Sequence, residues 1–527
     1  MLFRSEAAHP DIDPRFLFVN VGYNLRPLEV QGAMLLVQLD KMHAFNACRR
    51  DNLARIQAAL EADPRFASVM CLSRAAPGTN PAWFGIGAVL HRPYAHQLGA
   101  FLAHLSAVGV ENRPIISGNF VRQPAIAAYC PSARPEDFPG AEVVHGRGFF
   151  IGVHQVRVDD ATIAQLVDAM LGFEFEPRAM VLVTGAGGML GRHVREAVEG
   201  DPALTAAADW AFLTRADGDL RVRADVDRIF KRHQPTHVLH CAGRLEALRA
   251  MTAAPVDFWL DNVAVNDNVL RAAHAFQSWT GPIKLVSVLS TVMFPADAAY
   301  PMTAEADRLL AGRLHPAAES YAAAKRALAQ LTGWYRAQHG DAFTTVLPGN
   351  FFGAHGDFDP ATAPLVNALI ARAEAARAAG STQPLQVMGT GKPERQIMAA
   401  ADLARACVWA LFHYADGDPL IVAGEEVSVR RAAELVCEAT GFKGGLAFDE
   451  GAVDGPLRRT ADTSRFRALC PEFEFEPLLA GIQGAVAWFR EQGARGGASA
   501  TVTVGVAAKG GLAAVTGLAA AGKAQRA

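Results

Sequence analysis

The sequence predicts an α/β chain: a doubly wound parallel sheet with a smaller substrate lobe, preceded by a small α+β domain. Three observations carry that prediction. The segment "MVLVTGAGGMLGRHVREAV", residues 180–198, runs from a buried-strand pattern through a glycine turn into an amphipathic helix. From there to about residue 415, apolar strand runs alternate with helical stretches, the order that builds a parallel sheet. Upstream of about residue 175 the texture differs, with helical patterns and short strand-like pieces between them.

Taken in order, "PLEVQGAMLLVQLDKMHAFNACRRDNLARIQAAL" reads as helix, and "WFGIGAVLH" and "GFFIGVHQVRV" read as strands of a first domain over 1–175. After "FEFEPRA" a second domain spans 178–493. Its strands are "WAFLTR", "HVLHCA", "KLVSVLS" and "FTTVLPGN", and the part beyond residue 415 is expected to be helical with short strands, as in a substrate lobe. From 494 to 527 the composition collapses to Ala, Gly, Val and Thr; without large side chains to bury, this tail is expected to be disordered.

With 527 residues, 51% of them hydrophobic, the chain can bury two or more cores. A formal charge of −3 and no long Lys/Arg run argue against a nucleic-acid partner. The first residues lack the apolar core of a secretory signal and no stretch of 18 apolar residues follows, so the expectation is a cytoplasmic protein with no membrane partner. Seven cysteines (48, 71, 130, 241, 407, 437 and 470) show no zinc-type spacing; no metal site is expected, and most should be buried thiols acting as small apolar residues.

In "VTGAGGMLG", Gly185, Gly188 and Gly191 stand at three-residue spacing between strand and helix. Glycine lets the backbone turn tightly and approach a dinucleotide pyrophosphate, held at the helix N-terminus by free amides and the dipole. About 30 residues on, "WAFLTRADGDL" ends its strand with Thr214 and Arg215 where an NAD site usually offers a carboxylate to the ribose diol. A guanidinium suits a 2′-phosphate, which favours NADPH. Asp219 and Leu220 are expected to flank the adenine. "HCAG", 240–243, ends the next strand in small residues, where backbone must lie close to the cofactor.

"ESYAAAKRALAQL" places Tyr321 and Lys325 four apart in a helical pattern, so both project from one face. An ammonium near a phenol should lower its pKa and make it a usable acid or base. Ser290 ends the apolar run "KLVSVLS", at the carboxyl end of a strand that lines the crevice of a doubly wound sheet. Its hydroxyl can bind a substrate carbonyl while the phenol supplies the proton, and Thr291 can share that work.

These residues resemble a family. "VTGAGGMLG", "QPTHVLHCAG", "NVAVNDNVL", "LSTVMFP", "YAAAK", "VLPGNFFGAHGDF" and "VMGTGKPERQ" look like the extended short-chain dehydrogenase/reductases, in their GDP-L-fucose synthase branch, over about residues 178–490. The resemblance implies a Rossmann fold, NADPH, a homodimer, and epimerisation of a GDP-4-keto-6-deoxy-mannose at C3 and C5 followed by reduction at C4. Ser290, Tyr321 and Lys325 match the reductive triad, Gly185, Gly188 and Gly191 the pyrophosphate loop, and Arg215 the 2′-phosphate contact. Asn350 and Arg395 match positions that hold the nucleotide sugar.

Two departures matter more than the matches. The family's epimerising cysteine and histidine are replaced by Val292 and, by alignment, Pro364, neither of which can move a proton. His355 lies nearby but corresponds to another position, with a structural or phosphate-side role. The expected activity is therefore a 4-ketoreductase acting on a nucleotide-activated deoxyhexose for surface polysaccharide, without the epimerase step.

The first 175 residues resemble a second family, the DegT/DnrJ/EryC1/StrS sugar aminotransferases, through "VGYNLRPLEVQGAMLLVQLDKM", "NPAWFG" and "ENRPIISGNFVRQPA". Only the C-terminal part of that family is represented. Asn24 matches an asparagine that reaches pyridoxal phosphate, but the catalytic lysine or histidine and the acid for the ring nitrogen are missing, and Lys41 reads as a surface lysine. Pyridoxal phosphate is not expected, and the fragment reads as a docking module or a fusion remnant. The competing readings are a full epimerase/reductase with relocated acid/base groups and a silent scaffold docked on an intact sugar aminotransferase.

Overall fold

The computed structural model describes residues 28–116, 118–122, 130–245, 248–305, 309–360, 362–449, 451 and 457–495. Asn24 and residues 496–527 of the expected tail lie outside them.

The first unit is built on four short strands: β1 (Met70–Leu72), β2 (Gly85–Leu90), β3 (Asn112–Arg113) and β4 (Gly148–Gly152). They pair in the order β1-β2-β4-β3, every neighbour antiparallel. In β2 the residues alternate, with Ile86, Ala88 and Leu90 buried, which is the period of a sheet with one face on a core. That core also takes Ile56 and Leu60 from helix α1 (Glu29–Ala62), Phe101 and Leu105 from the helix Leu98–Ala107, and Ile163 and Met170 from Asp160–Leu171. The segment "GFFIGVHQVRV" is strand only to Gly152; beyond it the backbone is held instead by Asn52, whose amide donates to the carbonyls of His154 (3.0 Å) and Val156 (2.8 Å).

The second unit is a six-stranded sheet of β5 (Ala179–Thr184), β6 (Ala208–Phe212), β7 (His237–His240), β8 (Lys284–Val288), β9 (Phe343–Pro348) and β13 (Leu420–Val422). The order is β6-β5-β7-β8-β9-β13, parallel throughout. Helices cover both faces, so the strands are apolar on both sides: Leu182 joins the core under Pro255–Thr280 and Glu319–His339, while Val181 and Val183 join the one under Met189–Glu199 and Ala400–His413. Because β6 and β7 both flank β5, the chain turns in opposite directions on leaving β5 and β6. The crevice for a ligand opens at that reversal, outside the carboxyl ends of β5 and β7.

A third core lies in the lobe, where Phe352, Ile397, Leu369, Val436 and Ile482 pack together. Its strands are β10 (Asn350–Phe352), β12 (Glu394–Ala399), β14 (Glu425–Ser428) and β16 (Arg458–Arg459), with β11 (Leu385–Met388) and β15 (Leu446–Asp449) paired separately. Two expectations change here. "FTTVLPGN" is two strands of different sheets, broken at Gly349, where a Cβ would lie 2.9 Å from the Ala423 Cβ. The main sheet takes its last strand, β13, from beyond residue 415, outside the stretch in which the sequence alternates strand and helix.

Arg147, 3% exposed, joins the first two units, donating to the Leu90 carbonyl (3.2 Å) and to Gln234 Oε1 (2.6 Å). Arg178 and Arg92 meet Asp209 of β6 at 2.9 and 3.9 Å. The cysteine expectation is corrected: Cys407 is buried, but Cys71 and Cys130 are exposed and the other four half-buried. Cys71 lies on the outward-alternating face of β1, where pleating turns it to solvent. Among the described residues no helix is long and apolar enough to cross a membrane.

Candidate active site

The glycine loop follows β5. Gly185 has φ +70°, and a Cβ there would lie 2.8 Å from Ala242 Cα at the end of β7, so only glycine allows the two strand ends to approach. A Cβ on Gly191 would lie 2.4 Å from the Gly185 carbonyl oxygen and 2.5 Å from Ala186 Cα; its absence seats the helix Met189–Glu199 on the strand. Gly188 is different. It is the N-cap of that helix with no side chain closing the amides, and a Cβ would meet nothing nearer than 3.4 Å. The first turn thus presents open amide donors, and the cradle fits a pyrophosphate.

A buried network holds the "HCAG" turn against this loop. Thr184 Oγ1 bonds His240 Nδ1 at 2.8 Å and accepts from the Ala242 amide at 3.2 Å, while His240 Nε2 meets Asn266 Oδ1 at 3.1 Å. Burial, helped by the charge of Lys325, pushes the His240 pKa down to about 4, so the ring is neutral at pH 7. A neutral ring with Nε2–H donating to Asn266 must accept from the Thr184 hydroxyl, which leaves that oxygen free to accept from Ala242. Thr184 and Asn266 were not singled out from the sequence; a buried histidine at the end of a strand was the available signal.

At the end of β6, Thr214 and Arg215 are exposed. Asp217 turns back to accept from the Thr214 amide (2.8 Å) and hydroxyl (3.1 Å). Asp219 is held by Arg221 at 2.7 Å, which keeps its carboxyl below the usual range, and Arg221 also reaches Asp261 at 3.0 Å. Leu220 packs half-buried on the sheet core. Both nearby carboxylates are therefore already bonded, and Arg215 remains exposed at the strand end.

Tyr321 and Lys325 lie on the helix Glu319–His339, each 6% exposed, with Lys325 Nζ 5.7 Å from the phenol ring centroid. Lys325 donates to the Val288 carbonyl at 2.7 Å, which ties the helix to the end of β8. Ser290 stands two residues past β8 as the cap of a short turn, Thr291–Met293, its Oγ accepting from the Val292 amide at 3.4 Å. Ser290 acts on the Tyr321 phenol to lower its pKa, but burial raises it by more. The expected lowering by Lys325 is thus corrected: desolvation dominates, and the phenol is a protonated group at neutral pH. Burial also pushes Lys325 down to about 8. Val292 packs half-buried on the cluster of Met251, Phe258, Ala318 and Tyr321, so carbon, not a titratable group, stands beside the phenol.

On the lobe side, Asn350 is exposed and donates to the Gln396 carbonyl at 3.1 Å. Arg395 is half-buried in β12 and donates to the Glu394 carbonyl at 2.7 Å. The sequence reading passed over Arg459. It is the register partner of Arg395 and donates to the Thr291 carbonyl at 2.8 Å, linking lobe to triad. Its neighbour Arg458 pairs with Glu426 at 2.6 Å, whereas among the described residues no carboxylate pairs with Arg459. Two adjacent arginines in the sequence gave no sign of which one turns inward. His355, at φ +62°, contacts Glu196 at 2.6 Å and lies 5.5 Å ring to ring from His193, so it clamps its loop to the phosphate-side helix. Pro364 caps the helix Leu365–Ala378.

Residues 181–424 match the NAD dependent epimerase/dehydratase family, and residues 2–171 the DegT/DnrJ/EryC1/StrS aminotransferase family. A GDP-L-fucose synthase from Dictyostelium discoideum is 34% identical over 319 residues, 60% of this chain and 97% of its own length. A probable GDP-L-fucose synthase from Drosophila melanogaster is 31% identical over 59% of this chain and 97% of its own. Among solved structures, a GDP-L-fucose synthetase from Naegleria fowleri bound to NADP has a TM-score of 0.54 at 31% identity, covering 60% of this chain and 95% of its own. A GDP-mannoheptose C4 reductase from Campylobacter jejuni, at 23% identity and a TM-score of 0.51, shares the fold.

Proposed function

The chain belongs to the NAD dependent epimerase/dehydratase family, and from that premise we propose that residues 178–493 use NADPH to reduce the C4 ketone of a GDP-linked 4-keto-6-deoxyhexose, without epimerisation at C3 and C5. The observation that carries this reading is the wall around the phenol: Lys325 Nζ lies 5.7 Å from the Tyr321 ring centroid, while Val292 packs with the phenol's apolar cluster and puts carbon beside it. Bound nicotinamide supplies the hydride. The open amides at Gly188 and the exposed Arg215 would hold its phosphates, with Asp219 and Leu220 on the adenine side.

Ser290, aided by Thr291, binds the carbonyl oxygen, and the Tyr321 phenol, protonated at neutral pH, delivers the proton that completes the alcohol. The Lys325 ammonium stabilises the phenolate left behind. Asn350, Arg395 and Arg459 hold the nucleotide sugar, the two arginines toward its diphosphate. The family likeness also implies a homodimer, and residues 1–175 serve as a docking module or persist as a fusion remnant.

The test follows both halves of the chemistry. The protein is incubated with NADPH and a GDP-4-keto-6-deoxyhexose in deuterated water, and cofactor oxidation and isotope in the product are measured. Oxidation without deuterium at C3 or C5 beyond background is expected. No oxidation with any nucleotide ketosugar sinks the enzyme reading. Deuterium at C3 or C5 would instead favour a full 3,5-epimerase/4-reductase, the reading supported by relatives named GDP-L-fucose synthase that align over almost their whole length.

A further inference from the structure

β6 ends at Phe212, but the chain stays on the sheet for one more residue. The Leu213 amide donates to the Val183 carbonyl at 2.8 Å, and the Leu213 carbonyl accepts from the Ala186 amide at 2.9 Å. Residues 213–215 therefore leave the sheet alongside the glycine loop. The helix Met189–Glu199 forms the other wall of this corner. Arg195 lays its guanidinium over the Phe212 ring, 4.5 Å from the centroid, so that face of the helix looks onto the end of β6. Arg192 is three residues earlier, on the same face and about one turn nearer the loop. Its Nε donates to the Gly187 carbonyl at 3.1 Å, which folds the side chain back over the glycine loop. A Cβ on Gly187 would meet nothing within 4 Å, so the loop is open on that side.

The arginines around this corner differ in what they already hold. Arg195 meets Glu199 at 4.0 Å, Arg221 meets Asp219 at 2.7 Å and Arg228 meets Asp225 at 2.7 Å. Arg192 and Arg215 are both exposed, and among the described residues no carboxylate pairs with either. Only Nε of Arg192 is taken up by Gly187, which leaves its terminal nitrogens for a ligand. A phosphate monoester carries roughly −1.5 to −2 at pH 7, of which a single guanidinium matches about one charge. Two guanidiniums, one from each wall of the corner, match nearly all of it. With no anion between them they repel, so a dinucleotide with a plain 2′-hydroxyl leaves that repulsion in place.

We propose that Arg192 joins Arg215 in holding the 2′-phosphate of NADPH, one arginine from each wall of the corner, and that Arg192 sets the preference for NADPH over NADH. The assignment rests on the use of NADPH proposed above and is independent of which ketosugar is reduced.

The test is calorimetric titration of the full chain with NADP+ and with NAD+, at low ionic strength where exposed charges are least screened. Wild type is compared with Arg192→Gln, Arg215→Gln and the double variant. Arg192→Gln should weaken NADP+ by ~10-fold or more, the worth of a charge-assisted contact, and leave NAD+ within about twofold. Retained NAD+ binding shows at the same time that the variant is folded. The double variant should lose more of the preference than either single one. Equal weakening of both dinucleotides means that Arg192 serves the loop or the pyrophosphate, and overturns the proposal; an unchanged NADP+ affinity does so too. Neither result touches the reductase reading, whereas a wild-type chain that binds neither dinucleotide overturns both. A second titration isolates the group: Arg192→Gln should weaken adenosine 2′,5′-bisphosphate but not AMP, and equal loss of the two ligands overturns the assignment.

Discussion

The Tyr321 phenol and the Lys325 ammonium are both buried, and burial moves them in opposite directions, each toward its neutral form. A protonated phenol beside an ammonium titrating near 8 is arranged to give a proton rather than to take one. Reduction should therefore fall as pH rises through about 8, because the ammonium that supports the leaving phenolate is lost on the alkaline side of its pKa. The pH profile of kcat/KM for NADPH oxidation checks this, and Lys325→Met should flatten that limb. Tyr321→Phe should cost ~10²–10⁴-fold in kcat with little change in NADPH binding, the loss typical of a removed acid. The triad was legible because its residue types and spacing are local. The upward shift of the phenol was not, since the burial that causes it includes Met251 and Phe258, more than 60 residues away in the chain.

At the scale of an element, the three glycines of the loop separate by function. Gly191 has backbone 2.4 Å from where a Cβ would be, while at Gly188 the nearest atom, the Gly185 carbonyl oxygen, lies at an ordinary contact distance of 3.4 Å. Gly191→Ala should therefore destabilise the protein by ~1–3 kcal/mol and abolish NADPH binding, since helix and strand must move apart. Gly188→Ala should stay within ~0.5 kcal/mol of wild type yet weaken NADPH, because its Cβ intrudes only on the anion. Thermal denaturation and cofactor titration on both variants distinguish the roles. The spacing of the motif was read directly from the sequence, but it treats the three positions alike. Gly191 packs on Gly185 and Ala186 once the turn is formed, whereas the need for glycine at 185 is set by the Ala242 turn after β7, which arrives from 57 residues away.

At the scale of the whole molecule, the first unit is fastened to the sheet by a buried arginine rather than by a linker alone. Arg147→Met should cost ~1–3 kcal/mol by leaving Gln234 and the Leu90 carbonyl without their donor. Asp209→Asn should cost less than ~1 kcal/mol, because that carboxylate is half exposed. Denaturation curves, with limited proteolysis near residues 173–178, would show the ordering. The sequence by itself determined the sheet class, the order of strand and helix, the glycine cradle and the presence of Tyr321, Lys325 and Ser290, because each is written in short-range period or spacing. Only the tertiary structure decided that β13 closes the sheet from beyond residue 415, that β9 and β10 part at Gly349, and that Arg459 rather than Arg458 turns toward Thr291. Those outcomes depend on which surfaces meet across hundreds of residues, and no local pattern encodes a partner that is distant in the chain.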